Sequence, residues 1–319
     1  MHYRALGRTG LEVSELSYGA ARGSKRGQGA DPNAFMATVR ACIDRGINFI
    51  DTAAGYDDGD SERALGEALA GHDEVIVETK YCPYASYLPA AAYVGSPAAL
   101  VESAEESLRR LQRDRIDIFL GHGMRSPATL ERFMTDGCYE AMVRLREQGK
   151  VRFIGVSELS EADGTHAVLQ KAVPSGAFDV VMLTLNFLLQ TASETLLPLC
   201  REHGVGSVVM MPLNQASADS GLVGVPAALE CVRRHVAAGN LPAGAPYDRG
   251  DLLDFLEPYS IPEAGLRYVL AHDVGSCCVG MRSPKRLEEN LRAVDPPYLD
   301  ARRMAGLREL FGGIRAQVR

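Results

Sequence analysis

Several kinds of segment are missing from this 319-residue chain, and each absence excludes a class of protein. No run of about 18 apolar residues occurs, as a membrane-spanning helix would need, and the N-terminal Met-His-Tyr-Arg-Ala-Leu-Gly-Arg has no apolar core of signal-peptide length. The seven cysteines form no Cys-x-x-Cys pair, which disfavours a disulfide framework and a metal cluster. We therefore expect a cytoplasmic protein with free thiols and no bound metal.

An excess of positive charge is missing as well. The chain has 34 Lys and Arg residues against 41 Asp and Glu, a formal net charge of −7. Nucleic-acid-binding proteins usually present a basic face, whereas the basic run at 109–113 is flanked by acidic residues. This balance disfavours a nucleic-acid or membrane partner, and we expect a small-molecule substrate.

The most familiar catalytic and nucleotide-binding motifs are also absent. The sequence contains no GxGxxG, Walker A, HExxH or GxSxG pattern. Their absence disfavours a doubly wound dinucleotide-binding fold, a phosphate-loop ATPase, a zinc hydrolase and a serine hydrolase.

What the chain does contain is an alternation of short apolar runs with longer amphipathic stretches. This alternation is typical of parallel strands covered by helices. Eight strands are predicted at Leu16–Ala20, Asn48–Asp51, Val75–Lys80, Ile116–His122, Phe153–Ser157, Val180–Asn186, Ser207–Pro212 and Cys277–Met281. Helices are predicted between them at Asn33–Arg45, Ser61–Ala70, Pro97–Leu111, Gly137–Gln148, Glu194–His203 and Pro262–Ala271. Eight such units without a break in composition predict a closed (β/α)8 (TIM) barrel over residues 1–319, as a single domain.

Three further segments complete this prediction. The interval between the seventh and eighth strands is too long for one βα unit, so residues 213–260 are predicted as an insertion with an added helix at Val225–Ala238. Tyr3–Leu6 and Leu11–Ser14 are predicted to form a hairpin that plugs the bottom of the barrel, and residues 300–317 a C-terminal helix.

Polar side chains stand where the second, third and fourth strands end. Asp51 closes the second strand with Tyr56 five residues later, Lys80 closes the third and His122 the fourth. The carboxyl ends of barrel strands build the active-site mouth, so these side chains should meet there. A phenol has a pKa near ~10 and acts as an acid or base at neutral pH only beside a cation, which Lys80 supplies while Asp51 pairs with it. His122 would then orient a carbonyl oxygen.

These residues, together with others along the chain, resemble the aldo-keto reductase superfamily. The opening Tyr-Arg-Ala-Leu-Gly-Arg-Thr-Gly-Leu-Glu-Val-Ser, the segment Gly-Ile-Asn-Phe-Ile-Asp-Thr-Ala at 46–53, and Gly-Lys-Val-Arg-Phe-Ile-Gly-Val-Ser at 149–157 are similar to motifs of that family. The resemblance implies NADPH-dependent reduction of an aldehyde or ketone, or the reverse oxidation. It makes Tyr56 the general acid, with Lys80 and Asp51 tuning it and His122 positioning the substrate.

The resemblance also implies where the cofactor binds. The stretch Gly-Met-Arg-Ser-Pro-Lys-Arg-Leu-Glu-Glu-Asn-Leu at 280–291 is similar to the family's site for adenosine and the 2′-phosphate, and its arginines favour NADPH over NADH. The bacterial branch with this Gly-Met-Arg-Ser motif often carries a C-terminal ferredoxin-like segment, and no iron–sulfur cluster is expected here. The implied cofactor-binding residues are Gly19, Ala20, Ser157, Asn186, Met210, Pro212, Leu213, Gly280, Arg282, Ser283, Arg286, Glu289 and Asn290.

Three residues depart from the family pattern around the nicotinamide. The family commonly has Asn where Glu158 stands, Gln at Met182 and an aromatic residue at Met210. The contacts of the nicotinamide amide are therefore not defined by the resemblance.

Two alternatives and the substrate pocket stay open at this stage. The protein could be an NADPH-binding regulatory subunit with little turnover, like the potassium-channel β subunits of this superfamily. It could also be an isomerase or aldolase using Lys80 as a Schiff-base amine, which would require Lys80 to be unpaired. Tyr81, Tyr84 and Tyr87 are candidate substrate-binding residues, but they are equally compatible with packing roles.

Overall fold

Eight parallel strands form a closed barrel in the computed structural model, which describes residues 1–21, 31–86, 88, 90–159, 164–214 and 220–318. The last barrel strand pairs with both its predecessor and the first, which closes the sheet. The barrel strands are β3 (Leu16–Gly19), β4 (Phe49–Asp51), β5 (Ile76–Tyr81), β6 (Ile116–Met124), β7 (Val151–Glu158), β8 (Val180–Thr184), β9 (Gly206–Met210) and β10 (Ser276–Val279). The predicted (β/α)8 barrel is confirmed, and no strand end differs from its predicted position by more than two residues.

Eleven α-helices are found in the described part of the chain. They are α1 (Pro32–Asp44), α2 (Asp60–Ala68), α3 (Pro97–Leu111), α4 (Pro127–Thr135), α5 (Cys138–Glu147), α6 (Ala167–Ala172), α7 (Thr191–His203), α8 (Val225–Ala237), α9 (Ile261–Leu270), α10 (Pro284–Leu291) and α11 (Ala301–Phe311). The sequence analysis did not assign α4, α6 and α10, which are short. None of the helices in the described ranges is long and apolar enough to cross a membrane.

Ser-Pro pairs mark the start of three of these helices. Ser96, Ser126 and Ser283 each accept a hydrogen bond from a backbone N–H of the first helical turn, and each is followed by a proline at the first helical position. A serine cap satisfies an otherwise unpaired donor and contributes about 1 kcal/mol, while proline has no N–H that would need a partner there. The local sequence thus determines where α3, α4 and α10 begin.

The bottom of the barrel is closed by the predicted hairpin, formed by β1 (Tyr3–Ala5) and β2 (Glu12–Ser14). Leu6, Leu11 and Val13 join the apolar cluster inside the barrel. Gly7 lies against the backbone of β9 with φ +54°, and a Cβ there would stand 2.3 Å from the backbone nitrogen of Gly206. Only glycine fits that contact, so the hairpin can sit close under the strands.

Two helices follow β9 before the chain returns to β10. Helix α8 lies where the sequence predicted an added helix, and α9 is the regular helix before the last strand. The C-terminal helix α11 ends at Phe311, earlier than the predicted 317, because Gly312 and Gly313 follow and weaken helix continuation.

Candidate active site

A buried ion pair stands at the carboxyl end of the barrel. The ammonium group of Lys80 on β5 contacts a carboxylate oxygen of Asp51 on β4, and it donates a second hydrogen bond of 2.7 Å to the carbonyl oxygen of Thr52. Burial lowers the pKa of Lys80, but Asp51, through its charge and its hydrogen bond, together with Tyr56 and Glu78 outweighs burial and raises this pKa above its ordinary value. Lys80 is therefore a fixed cation, which disfavours a Schiff-base role that needs a neutral amine.

Tyr56 and His122 lie beside that cation. The Lys80 Nζ is 5.2 Å from the centre of the Tyr56 ring, and the Tyr56 and His122 rings meet edge to face with centroids 5.9 Å apart. Burial, and then the charge of Lys80, lower the pKa of His122 well below its usual range. The imidazole is thus neutral at physiological pH and can donate one N–H to a ligand. All four residues proposed from the strand ends meet at one place.

The turn that carries Tyr56 is anchored by the start of α2. The Ser61 hydroxyl donates 2.8 Å to the carbonyl oxygen of Ala20, and the buried carboxylate of Glu62 accepts from the Thr79 hydroxyl at 2.7 Å. Arg110 of α3 pairs with the other oxygen of Glu62 at 3.2 Å. The Ser-Glu pair therefore tethers α2 to the residue after β3, to β5 and to α3, which positions the preceding turn.

A second acidic residue occurs inside the barrel next to the ion pair. Glu78 is fully buried on β5, two residues before Lys80, and its backbone is the register partner of Asp51. Burial, and then the charge of Asp51, raise the pKa of Glu78 well above its usual range. The sequence analysis assigned no role to this residue. A glutamate directly after the apolar run Val75-Ile76-Val77, two positions before Lys80 and so on the same face of the strand, was a usable signal.

A cavity of about 460 Å³ opens at the same end of the barrel, after β9 and β10. The predicted cofactor residues that line it are Leu213, Gly280, Arg282, Arg286, Glu289 and Asn290. Ser283 caps the start of α10, and Arg282 and Arg286 flank that start and line the cavity. The positive end of the helix and these two guanidinium groups form a donor set that suits a phosphate. Ser260, Glu263 and Arg292 also line the cavity, and the sequence analysis missed them. The S-x-x-E cap at 260–263 was the available signal for the first two.

The other predicted cofactor residues have these places. Gly19 ends β3 and Ala20 follows it, and the Ala20 N–H donates 2.9 Å to the carbonyl of Asp51. The Ser157 hydroxyl accepts a hydrogen bond from the Gly123 backbone at 2.8 Å. The side-chain oxygen of Asn186 accepts two backbone N–H groups at 3.0 Å, and its amide nitrogen donates 3.2 Å to the Met211 carbonyl. Met210 is half-buried at the end of β9, and Pro212 is buried two residues later. Ser157 of β7 thus holds the end of β6, and Asn186 holds the loop that follows β8 and the residue after β9.

Comparison with known proteins shows the family to which the chain belongs. Residues 15–311 match the model of the Aldo/keto reductase family. The chain is 32% identical to the L-galactose dehydrogenase of Arabidopsis thaliana over 91% of its length and 87% of that relative. The chain belongs to the aldo/keto reductase family. It is accordingly an NAD(P)H-dependent oxidoreductase, and members of this family act on small-molecule carbonyl compounds.

Further aldo/keto reductases agree with this assignment. The NADH-specific methylglyoxal reductase of Escherichia coli is 29% identical over 93% of this chain and 94% of that one. An aldo-keto reductase of Bacillus halodurans in its holo form superposes with a TM-score of 0.73 at 26% identity, over 100% and 98% of the two chains. A Klebsiella pneumoniae aldo/keto reductase solved with NADP and acetate has a TM-score of 0.67 at 24% identity, over 96% and 94%, and supports the fold.

At Glu158 this aldo/keto reductase uses the side chain differently from the asparagine common in the family. Its Oε1 is 2.7 Å from Nδ1 of His166 and accepts the Thr184 backbone N–H at 2.9 Å, while His166 Nε2 is 2.8 Å from the Thr191 hydroxyl. All three side chains are buried. The carboxylate therefore joins β7 and β8 to the start of α7. The sequence analysis missed His166, because nothing local connects it to Glu158.

The remaining departures and the candidate tyrosines are also placed. Met182 belongs to the cluster inside the barrel, and Met210 packs against that cluster. The Tyr81 hydroxyl accepts the Ser96 N–H at 3.2 Å, and Tyr84 stacks under the Arg125 guanidinium at 3.6 Å. Tyr87 lies outside the described residues. Tyr81 and Tyr84 thus help to build the loop after β5, and their contact with substrate stays a prediction.

Proposed function

We propose that this aldo/keto reductase reduces an aldehyde or ketone to the alcohol with Tyr56 as the proton donor, and catalyses the reverse oxidation through the same groups. The observation that carries the proposal is the convergence of a phenol, a buried ammonium and a neutral imidazole at the barrel mouth. An acid, a charge that stabilises its conjugate base and a hydrogen-bond donor for the carbonyl oxygen are what such a reduction needs.

The division of labour follows from these positions. His122 donates its N–H to the carbonyl oxygen and fixes its direction, and Tyr56 delivers a proton to the same oxygen. Lys80 stabilises the phenolate that remains, because a positive charge favours the ionised form of a neighbouring acid. Asp51 keeps Lys80 protonated and in place. A bound nicotinamide supplies or accepts the hydride at the carbon atom.

We further propose that the cofactor is NADPH. Arg282 and Arg286 line the cavity at the start of α10, where Ser283 caps the helix. Guanidinium groups bind phosphate in a fork geometry, so a 2′-phosphate would find two of them. One relative is NADH-specific, so the two cofactors are compared in the test of this proposal.

The tyrosine assignment is tested with Tyr56→Phe. The variant removes one oxygen and is expected to lower kcat by at least about 100-fold, the contribution of a general acid, with little change in NADPH affinity. NADPH binding is measured by fluorescence titration, and turnover by loss of cofactor absorbance across a panel of carbonyl compounds. Retained activity in Tyr56→Phe would remove Tyr56 from the mechanism.

The cofactor assignment is tested with Arg286→Ala. Loss of one charged hydrogen bond is expected to raise the KM for NADPH about tenfold and to leave the KM for NADH nearly unchanged. Lys285→Ala provides a matched control, because Lys285 carries the same charge on the same helix but is almost fully exposed. Equal effects of Arg286→Ala on both cofactors would show that this arginine does not contact a 2′-phosphate.

A further inference from the structure

Glu78 points into the barrel at the level of the reaction centre. Side chains alternate along β5, and Ile76, two residues earlier, belongs to the inner apolar cluster, while Lys80, two residues later, reaches Asp51. The register partners of Glu78 are Asp51 on β4 and Ile118 on β6. Glu78 therefore lies directly beside the Asp51–Lys80 pair, in a space that is otherwise apolar.

The carboxyl group of Glu78 has an unusual set of neighbours. Neither of its oxygens accepts a hydrogen bond from an N–H or O–H donor among the residues that the structure describes. Its register partner on the neighbouring strand is Asp51, whose carboxyl group lies beside it, and the Lys80 ammonium is also close. Two ionised carboxylates offer only acceptors, so this contact is favourable only when one of the two carries a proton.

We propose that Glu78 is a carboxylic acid in the working enzyme, that it donates its hydrogen bond to Asp51, and that it thereby acts as a positioning residue for Lys80 and Tyr56. This inference rests on the proposed function as far as its effect on Tyr56 is concerned. Asp51 is the ionised partner because it holds the Lys80 ammonium.

The charges around Glu78 agree with this distribution of protons. Burial, and then the negative charge of Asp51, raise the pKa of Glu78, and Lys80 offsets only part of that rise. Cys278 of β10 is also buried near this group, and burial raises the pKa of its thiol well above the usual range, so it adds no charge. Ile118 presents an apolar side chain from β6. One negative and one positive charge then remain, on Asp51 and Lys80.

The hydrogen bond has a consequence for the acid. An Asp51 carboxylate that accepts from Glu78 as well as from Lys80 neutralises the ammonium less completely. More of the positive field then reaches Tyr56, which favours the phenolate. Removing the donor should strengthen the hold of Asp51 on Lys80 and move the titration of Tyr56 to higher pH.

Protonation is tested first, without cofactor or turnover. The infrared spectrum of the intact protein at pH 7 should contain the carbonyl band of a buried protonated carboxylic acid. This band should disappear in Glu78→Gln and persist in Glu74→Gln, an equivalent change at an exposed glutamate of the same segment. Absence of the band from the wild-type protein would overturn the proposal.

The positioning role is tested by the pH profile of alcohol oxidation. Glu78→Met, which has no donor, should move the midpoint of kcat upward by about 0.5 to 1 pH unit. Glu78→Gln should leave the midpoint close to that of the wild type, because its amide N–H can donate to Asp51. Profiles of both variants that coincide with the wild type would overturn the positioning role. Full activity of Tyr56→Phe with the infrared band present would instead refute the proposed function and leave the acid pair intact.

Discussion

A buried glutamate that is protonated in the folded protein should lower the free energy of unfolding as the pH rises. Replacing that glutamate with a residue that does not titrate should remove this loss. The folded pKa of Glu78 is raised from 4.5, the ordinary value that the unfolded chain retains. The stability associated with its protonated form is fully present below pH 4.5 and is lost as the pH rises towards the folded pKa. Glu78→Gln keeps the shape and a donor but cannot titrate. The variant should therefore become more stable than the wild type as the pH increases.

The size of the effect follows from linkage. One proton held by the folded state and not by the unfolded state changes the free energy of unfolding by about 1.4 kcal/mol per pH unit. Between pH 6 and pH 8 the advantage of Glu78→Gln should grow by up to about 2.7 kcal/mol, for as long as folded Glu78 stays protonated. At about 2 °C per kcal/mol for a chain of this size, the thermal midpoints should diverge by roughly 5 °C.

The assay is a series of thermal unfolding curves at pH 5, 6, 7 and 8 for the wild type and for two variants. Glu74→Gln serves as the control, since the pKa of exposed Glu74 is lowered by backbone hydrogen bonding and by His72, so this change cannot gain stability with rising pH. Midpoints of Glu78→Gln that run parallel to the wild type over this range would show that Glu78 is ionised in the fold. The reasoning from its burial beside Asp51 would then be wrong.

Two further substitutions probe the barrel around this centre. Lys80→Met leaves the buried Asp51 carboxylate without a cation and should lower the free energy of unfolding by about 3–5 kcal/mol. Adding Asp51→Asn should recover part of this loss. An unchanged thermal midpoint for Lys80→Met would contradict the buried pair. Gly7→Ala would place its Cβ 2.3 Å from the Gly206 nitrogen at φ +54° and should lower the free energy of unfolding by more than about 2 kcal/mol. Gly10→Ala, at φ +71° with no atom within 4 Å of its Cβ, should lower it by only about 1 kcal/mol. Equal losses at both glycines would show that the contact under β9 is not tight.

Local sequence was sufficient for most of the barrel. A strand such as β8 is a run of apolar residues that ends in Thr184, and a helix such as α3 begins at a Ser-Pro pair and has an apolar face. Both signals are contained in neighbouring residues. Helix α6 was missed because its six residues carry too little periodicity, and because His166, the residue before it, has left-handed backbone angles and gives no capping signal.

The candidate site was predictable to the extent that it follows from strand ends. Asp51, Tyr56, Lys80 and His122 could be grouped because parallel strands bring their carboxyl ends together. The clustering of Arg282, Arg286 and Asn290 around one cavity with Leu213 came from the resemblance, since these residues are far apart from that leucine in the chain.

The sequence by itself determined the order of strands and helices, the hairpin below the barrel and the four polar residues at its mouth, because each depends on periodicity, caps and position within an element. Only the tertiary structure decided which polar groups share protons and charges. Glu158 pairs with His166, and Glu78 lies against Asp51, through barrel curvature and strand register that no local pattern encodes. Burial then changes the pKa of Glu78, since the cost of a charge depends on the atoms that surround it in space and not on its neighbours in the chain.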